Sequence, residues 1–544
     1  MNWFKIKYYL CFLLSILLLG CAQVVPLTGG KKDITAPKVL STIPLNQSLN
    51  FNGDNIVLKF DEFVQFKDAN NEFIISPNLK TKPTIQSIGK SILINLNKDE
   101  LLKNTTYKLY FGSSIKDMHE SNPLKDYEYV FSTGNVIDTL KQTGQLFNAL
   151  TKESETEMIV GLYDLNSFND STIYKTTPLY YCKTNSSGNF NFSYLPNSTF
   201  KLVAFTDKNK NLVYEPEVEK LAFYNENVTP GKDSNIVLYS FNETPQKTYI
   251  KKINVINSGK AIITFNKPIT PKVYSLNSKV KFYSTTTTKP KSDSLFIYTW
   301  PYIDTLSFNI IDDTFNFNDT IKIIYPKSNK KNIKFPITTN LNNKLLPIET
   351  NLTLTFPQAI DTLNSKTNQI LVYEKTDSLK SKKEFKTEYV NGNTLKIKTN
   401  FIEGKEYFLN IDTNIFINYN GNYNDSLIQT FKLQTKTSLG SIKLNFLLNK
   451  KQNYLIQLIS PQSNVYRQYG ISYALSESNE KTIYFKNIMP GTYKIRIVFD
   501  DDNNNEWSSG NYLKQIQPER IEIFEKELKV ISDWEIEEDI IIKK

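Results

Sequence analysis

Two short stretches place acid and amide oxygens at every second residue, the pattern that gathers a hard cation. Asp500, Asp502 and Asn504 lie within Val498-Phe499-Asp500-Asp501-Asp502-Asn503-Asn504-Asn505-Glu506-Trp507, and Asp207, Asn209 and Asn211 repeat the spacing upstream. Alternating carboxylates and amides on a tight loop can converge oxygen ligands on one Ca2+. An EF-hand loop also needs Gly at its sixth position and a bidentate Glu at its twelfth. Here those positions hold Asn505 and Asn511 in one loop, Leu212 and Val218 in the other, which excludes that motif. Two readings stay open. One is a calcium site at a sheet edge, closed by Glu215 or Glu217 in the first copy and by Glu506 in the second. The other is a structural turn, in which Asp and Asn bond to their own backbone.

Other catalytic chemistry finds few residues to work with. His119 is the only histidine, which excludes a multi-histidine zinc centre. Cys182 falls in a strand-like stretch without a histidine in its own neighbourhood, and reads as a small apolar residue. No Walker A loop, dinucleotide fingerprint, nucleophile elbow or zincin helix is present. Adjacent acids such as Asp61-Glu62 point to opposite sides of a strand, so they cannot flank one glycosidic bond. The formal charge of +10 comes almost wholly from scattered lysines, the only arginines being Arg467, Arg496 and Arg520. A nucleic-acid groove needs a concentrated basic stripe. The chain is therefore expected to be neither an enzyme nor a nucleic-acid binder.

The N-terminus points to export. Lys5 and Lys7 precede an apolar run from Tyr8 to Leu19, the parts of a secretory signal peptide. Leu18-Leu19-Gly20-Cys21 resembles a bacterial lipobox, which implies lipidation of Cys21 and a signal peptide over 1–20. Residues 21–35 read as a flexible tether holding the body off a bilayer. Past Cys21 only Cys182 remains, so no intrachain disulfide can form in the mature chain and the fold must rest on apolar burial.

The elements that would position these residues are strands. Ile56–Phe60, Ser91–Leu96, Tyr107–Phe111 and Tyr127–Thr133 place apolar residues at alternate positions, and Gly, Asn, Asp and Pro separate such runs at hairpin spacing. The expected fold class is all-β, a tandem array of antiparallel β-sandwiches of about 100 residues each. Internal comparison gives their register. Ile483–Trp507 parallels Phe190–Tyr214, with Pro490 matching Pro196, Tyr493 matching Phe200, Asp500 matching Asp207 and Trp507 matching Tyr214. Ala261–Ile269 and Leu352–Ile360 echo the run from Ile56 to Val64, and Glu403–Thr435 echoes the stretch from Leu101 to Gly134.

The first unit carries Pro37, Val39, Phe60, Asp61, Glu62, Val64, Leu101, Asn104, Thr105, Tyr107, Lys116, Asp117, Phe131, Thr133 and Gly134 in order. This order resembles the bacterial Ig-like domain of S-layer and Bacteroidota surface lipoproteins. The two units with Asp/Asn loops resemble transthyretin-like or carboxypeptidase-regulatory-like sandwiches. The expected organisation is Ig-like at 36–137, transthyretin-like at 138–244, Ig-like at 245–340 and 341–437, and transthyretin-like at 438–544.

Asp followed by Ser or Thr and then an apolar residue or Thr recurs through the chain. The pattern resembles the O-glycosylation sequon of exported Bacteroidota proteins, implying Thr139, Ser171, Ser294, Thr305, Thr320, Thr362, Ser378 and Ser426 as acceptors. Taken together, these features lead to the expectation of a non-enzymatic outer-membrane lipoprotein. It would be an accessory or scaffold subunit of a complex for β-barrel assembly, secretion or uptake, partnered by a β-barrel protein or other envelope lipoproteins. The alternative is a surface adhesin or glycan-binding lipoprotein, which would expose rows of Trp and Tyr on one sheet face. No cofactor is required, Ca2+ being the one candidate, and the body would face either the cell surface or the periplasm.

Overall fold

The computed structural model describes residues 32–542 apart from 69–71, 233–234, 258, 287–291, 301, 328–333, 377–378, 420, 449–451, 463 and 473–479. Their regular secondary structure is almost entirely strand, with a few single-turn 3-10 segments and many turns between the strands. No helix among them is long and apolar enough to cross a membrane.

Five hydrophobic cores follow one another along the chain, each in a module of two main sheets, to which the first and fourth modules add a third, small one. The cores run from Phe51 to Phe131, Leu146 to Leu238, Ala261 to Tyr325, Phe335 to Phe431 and Ile442 to Ile542. Alternation in sequence becomes alternation in burial: Ile56, Leu58 and Phe60 are buried on Asn55–Phe60, while Asn55 and Lys59 are exposed. The neighbouring strand Ser91–Asn95 buries Ile92 and Ile94 in the same way, and pairs antiparallel with it.

Modules 1 and 4 share a corner that explains one of the sequence echoes. Tyr107 and Tyr407 are fully buried, and their hydroxyls accept hydrogen bonds from the backbone N–H of Leu102 and Ile402, both at 2.7 Å. Each ring lies on a phenylalanine of the next strand, Phe131 at 5.2 Å and Phe431 at 5.5 Å between centroids. Between donor and tyrosine the chain turns through the left-handed region, at Asn104 (φ 50°) in module 1 and Gly404 (φ 77°) in module 4. The Asn and Gly are thus the residues that turn needs. Asp117 is a structural carboxylate as well. It is buried and accepts from the backbone N–H groups of His119, Glu120, Ser121 and Asn122 at 2.6–3.0 Å.

Modules 2 and 5 have one topology. In module 2, Leu140–Asn148 lies between Asn189–Leu195, antiparallel, and Ile236–Ser240, parallel. In module 5, Gly440–Leu447 lies between Glu480–Ile488, antiparallel, and Glu535–Ile541, parallel. The parallel pair departs from a purely antiparallel reading. It arises because the last strand of each module crosses over and returns beside the first in the same direction. The second sheets correspond too: Tyr180–Lys183, Ile159–Asp164, Phe200–Phe205 and Leu221–Val228 against Val465–Ile471, Asn453–Ile459, Gly491–Asp500 and Ile521–Ile523. Both Asp/Asn loops join the third of these strands to the fourth.

Candidate functional site

The two loops agree nearly atom for atom. Asp207 accepts from the N–H groups of Asn211 (3.0 Å) and Leu212 (3.1 Å), and Asp500 from those of Asn504 and Asn505 (both 3.0 Å). Asn209 and Asp502 each accept from the third loop residue, Asn211 at 3.2 Å and Asn504 at 3.1 Å. Asn211 and Asn504 in turn cap the N–H of Val213 (2.7 Å) and Glu506 (2.6 Å). Lys210, Leu212, Asn503 and Asn505 all stand near φ +60°. That conformation costs an L-residue about 1–2 kcal/mol, which the carboxylate bonds offset. Asp and Asn recur here because their short side chains reach back to these amides.

The carboxylate that closes each loop is one that fixed spacing misses. Glu219 accepts from Lys208 N (2.7 Å) and Glu215 N (2.9 Å); Glu519 accepts from Asp501 N and Ser508 N, both at 2.8 Å. Of the acids expected to close the loops, Glu215 takes the Asn209 amide at 2.6 Å, while Glu217 bonds to the Tyr249 hydroxyl and the Glu506 amide is capped by Asn504. Each closing acid opens the next strand as Glu-Lys-Leu or Glu-Arg-Ile, with Leu221 pairing to Phe205 and Ile521 to Val498. This shared triplet was the available signal. Burial holds both carboxyls above the ordinary glutamate range.

Oxygens of Asp500, Asp502 and Glu519 lie within 4.8 Å of one another, so the second loop offers three carboxylates to a cation. The first loop has Asn209 where the second has Asp502, and offers one fewer. Every one of those carboxylates also serves loop donors, Asp502 through the Ser508 hydroxyl (2.6 Å) and the Asn504 amide (2.9 Å).

The chain leaving the second loop has no counterpart in the first. Glu219 comes four residues after Glu215, whereas Glu519 comes eleven after Ser508. The extra chain carries Tyr512 out of module 5 and into module 2. There it is fully buried with Ile173, Phe205, Tyr214, Phe223 and Phe241. Its ring meets Phe223 edge-on at 5.4 Å and Tyr174 at 6.2 Å. Glu243 ties the two loops together, accepting from Tyr512 N at 2.7 Å and from the Tyr214 hydroxyl at 3.1 Å. Gln517 adds bonds to Phe223 O (2.9 Å) and Asn225 (2.7 Å), and Arg496 reaches Leu150 O at 3.4 Å. Gly510 sits so close to Phe241 that a Cβ would stand 2.5 Å from its ring. Trp507 donates to Glu519 O at 3.0 Å and packs against the cores on both sides. This joint, which residue spacing did not foretell, makes module 5 fold back onto module 2.

Consecutive modules also touch. Asn78 bonds to Leu179 O (2.7 Å) and Thr177 (2.9 Å) between modules 1 and 2, and Glu217 meets Tyr249 between 2 and 3. Trp300 stacks on Tyr419 at 4.0 Å between 3 and 4, and Gln434 reaches Met489 Sδ at 3.1 Å between 4 and 5. Modules 2 to 5 therefore close a ring, with module 1 attached at module 2.

The remaining sequence candidates are dispersed. Thr139, Thr320, Thr362 and Ser426 are exposed, whereas Ser171, Ser294 and Thr305 are half-buried. Cys21 and Ser378 lie outside the described residues. His119 is exposed and its backbone is bound by Asp117. Cys182 packs against the second core, where burial pushes its thiol up to about 12.

Against known proteins, the N-terminal module is decisive. Residues 33–133 match the bacterial Ig-like domain. Tyr107, Asp117 and the Phe131 strand thus belong to that domain's framework. Among solved structures, the S-layer protein rSbsC is 12% identical over 69% of this chain and 64% of that one, at a TM-score of 0.16. The major pilin subunit of Bacillus cereus is 10% identical over 74% and 99%, also at 0.16. The alpha-2-macroglobulin of E. coli is 7% identical over 90% and 42%, at 0.14. The chain spans less than two thirds of the S-layer chain. At these scores no functional argument follows from the three likenesses. No curated protein matches the chain.

Proposed function

We propose that the protein is a non-enzymatic lipoprotein of the bacterial outer membrane, serving as a scaffold subunit of a complex built around a β-barrel protein. The observation that carries this reading is the joint between modules 2 and 5. There the polar side chains hold the chain to itself: Glu243 accepts from Tyr512 N, and Asp500 and Glu519 accept from loop N–H groups. A ring of sandwiches with an Ig-like module at its N-terminal side suits an arm that presents surfaces. Lipidation of Cys21 would anchor that arm; one acyl chain holds only marginally, and several hold firmly.

Solubilisation in mild detergent followed by capture of the full-length chain is the test. A stoichiometric β-barrel partner is expected, lost when Cys21→Ala releases the chain from the membrane. A chain that elutes alone would overturn the reading. Protease shaving of intact cells tells which side the body faces.

A second reading, a glycan-binding adhesin, draws on one observation. Tyr466 and Tyr469 stand exposed on Val465–Ile471, an edge strand of module 5. Trp300 and Trp507 are used in contacts between modules, and Trp534 stands 63% exposed. Glycan-array binding lost in Tyr466→Ala and Tyr469→Ala would favour this reading.

A further inference from the structure

A cavity of about 600 Å3 opens beside the joint, with walls from both modules. Phe223, Val237 and Tyr239 line it from module 2, and Pro518 and Ile521 from module 5. Its volume falls in the range of small-molecule sites, about 300–1,000 Å3. Two cations line the wall, Arg520, which is paired with Glu522, and Lys152. Lys152 stands at φ 59° in a turn fixed by Asn148, whose side chain takes the N–H groups of Leu150 (2.9 Å) and Thr151 (3.0 Å). The Lys152 ammonium lies 3.8 Å from the centroid of the Tyr239 ring. Among the described residues no carboxylate is in ion-pair contact with it. The acids nearby are committed or apart: Glu522 pairs with Arg520, Glu519 holds the loop, and Glu226 is exposed in the wall.

We propose that this cavity binds a small amphiphilic carboxylate, its head on the Lys152 ammonium and its apolar body against Phe223, Val237, Tyr239 and Ile521. A monoanion fits better than a phosphate dianion, because a single uncommitted cation faces it while Glu226, Glu519 and Glu522 share the wall. A charged group half out of water gains most from a counter-ion placed beside it. Burial first, and the like charge of Arg520 second, bring Lys152 down to about 8, with Glu522 opposing. A bound carboxylate would raise it again, so affinity must decline as the ammonium loses its proton. Because both modules supply walls, the ligand would also tighten the joint.

The test is calorimetric titration of the full-length chain with dodecanoate and with 3-phenylpropanoate, which separate acyl from aromatic bodies, and with the two corresponding alcohols. At least one carboxylate is expected to bind once per chain and raise the melting temperature. Its alcohol, and the Lys152→Gln variant, should bind about tenfold more weakly or worse, the value of one charged hydrogen bond, while Lys152→Arg retains binding. Should Lys152→Gln fail to fold, the wild-type chain decides, since its affinity must fall between about pH 7 and about pH 9. No saturable binding of either acid overturns the proposal. So do an alcohol that binds as well as its acid, full binding by a folded Lys152→Gln chain, or an affinity flat across that pH range.

Discussion

Asp500 shows how much a single side chain can organise. It is buried, and both of its oxygens take loop amides, that of Asn504 shared with Asp502 and that of Asn505 held by Asp500 itself. Asp500→Ala strips the Asn505 N–H of its acceptor in a positive-φ turn and leaves the Asn504 N–H to Asp502 alone, and should cost roughly 1–3 kcal/mol in denaturant unfolding of module 5. Asp207→Ala should do the same in module 2, to a smaller extent because Asp207 is only half-buried. Glu219 and Glu519 move stability with pH in a set direction. Their carboxyls are raised by burial in the folded chain, so the folded state holds protons that the unfolded state has released. Their contribution is greatest below the unfolded glutamate value and declines as pH rises through the folded one. Carboxyl NMR titration of the labelled chain should find both midpoints above 4.5, the reference value. Since the loop amides already occupy these oxygens, EDTA is expected to leave the melting temperature unchanged. A fall that Ca2+ restores would instead assign a cation to Asp500, Asp502 and Glu519.

Among the elements, the buried tyrosine corners carry the clearest forecast. Tyr107→Phe and Tyr407→Phe each remove one acceptor from a backbone N–H, and each should lower stability by about 1–3 kcal/mol. Similar losses at the two sites would show that the corner works alike in modules 1 and 4. Strand alternation, the tyrosine pattern and the loop repeat were legible in the sequence because each is local: period two, a turn residue, a fixed spacing. Glu219 and Glu519 were not. They are joined to their loops across segments of unequal length, and a comparison at constant spacing slides past the shared Glu-(Lys/Arg)-(Leu/Ile). The parallel strand beside Leu140–Asn148 was equally hidden, since parallel and antiparallel partners carry the same alternation.

At the scale of the whole molecule, the decisive contact joins residues 269 apart in sequence, Glu243 and Tyr512. No periodicity announces it, because Tyr512 sits in a loop and its partners lie three modules away. Tyr512→Ala should open the joint at a cost of about 3–5 kcal/mol, read as an increase in radius of gyration by X-ray scattering. Tyr512→Phe should leave the molecule closed and as stable or more so, because the buried Tyr512 hydroxyl has no hydrogen-bond partner among the described residues. Gly510→Ala should loosen the joint, because its Cβ would press on the buried Phe241 ring.

The closed ring also decides how the molecule carries tension. A pull between its N-terminal and C-terminal ends enters module 2 through module 1 and leaves through module 5. With module 5 clasped to module 2, that force crosses the Tyr512 contact directly. Modules 3 and 4 hang outside the load path as a slack loop, and they bear tension only after the clasp has given way.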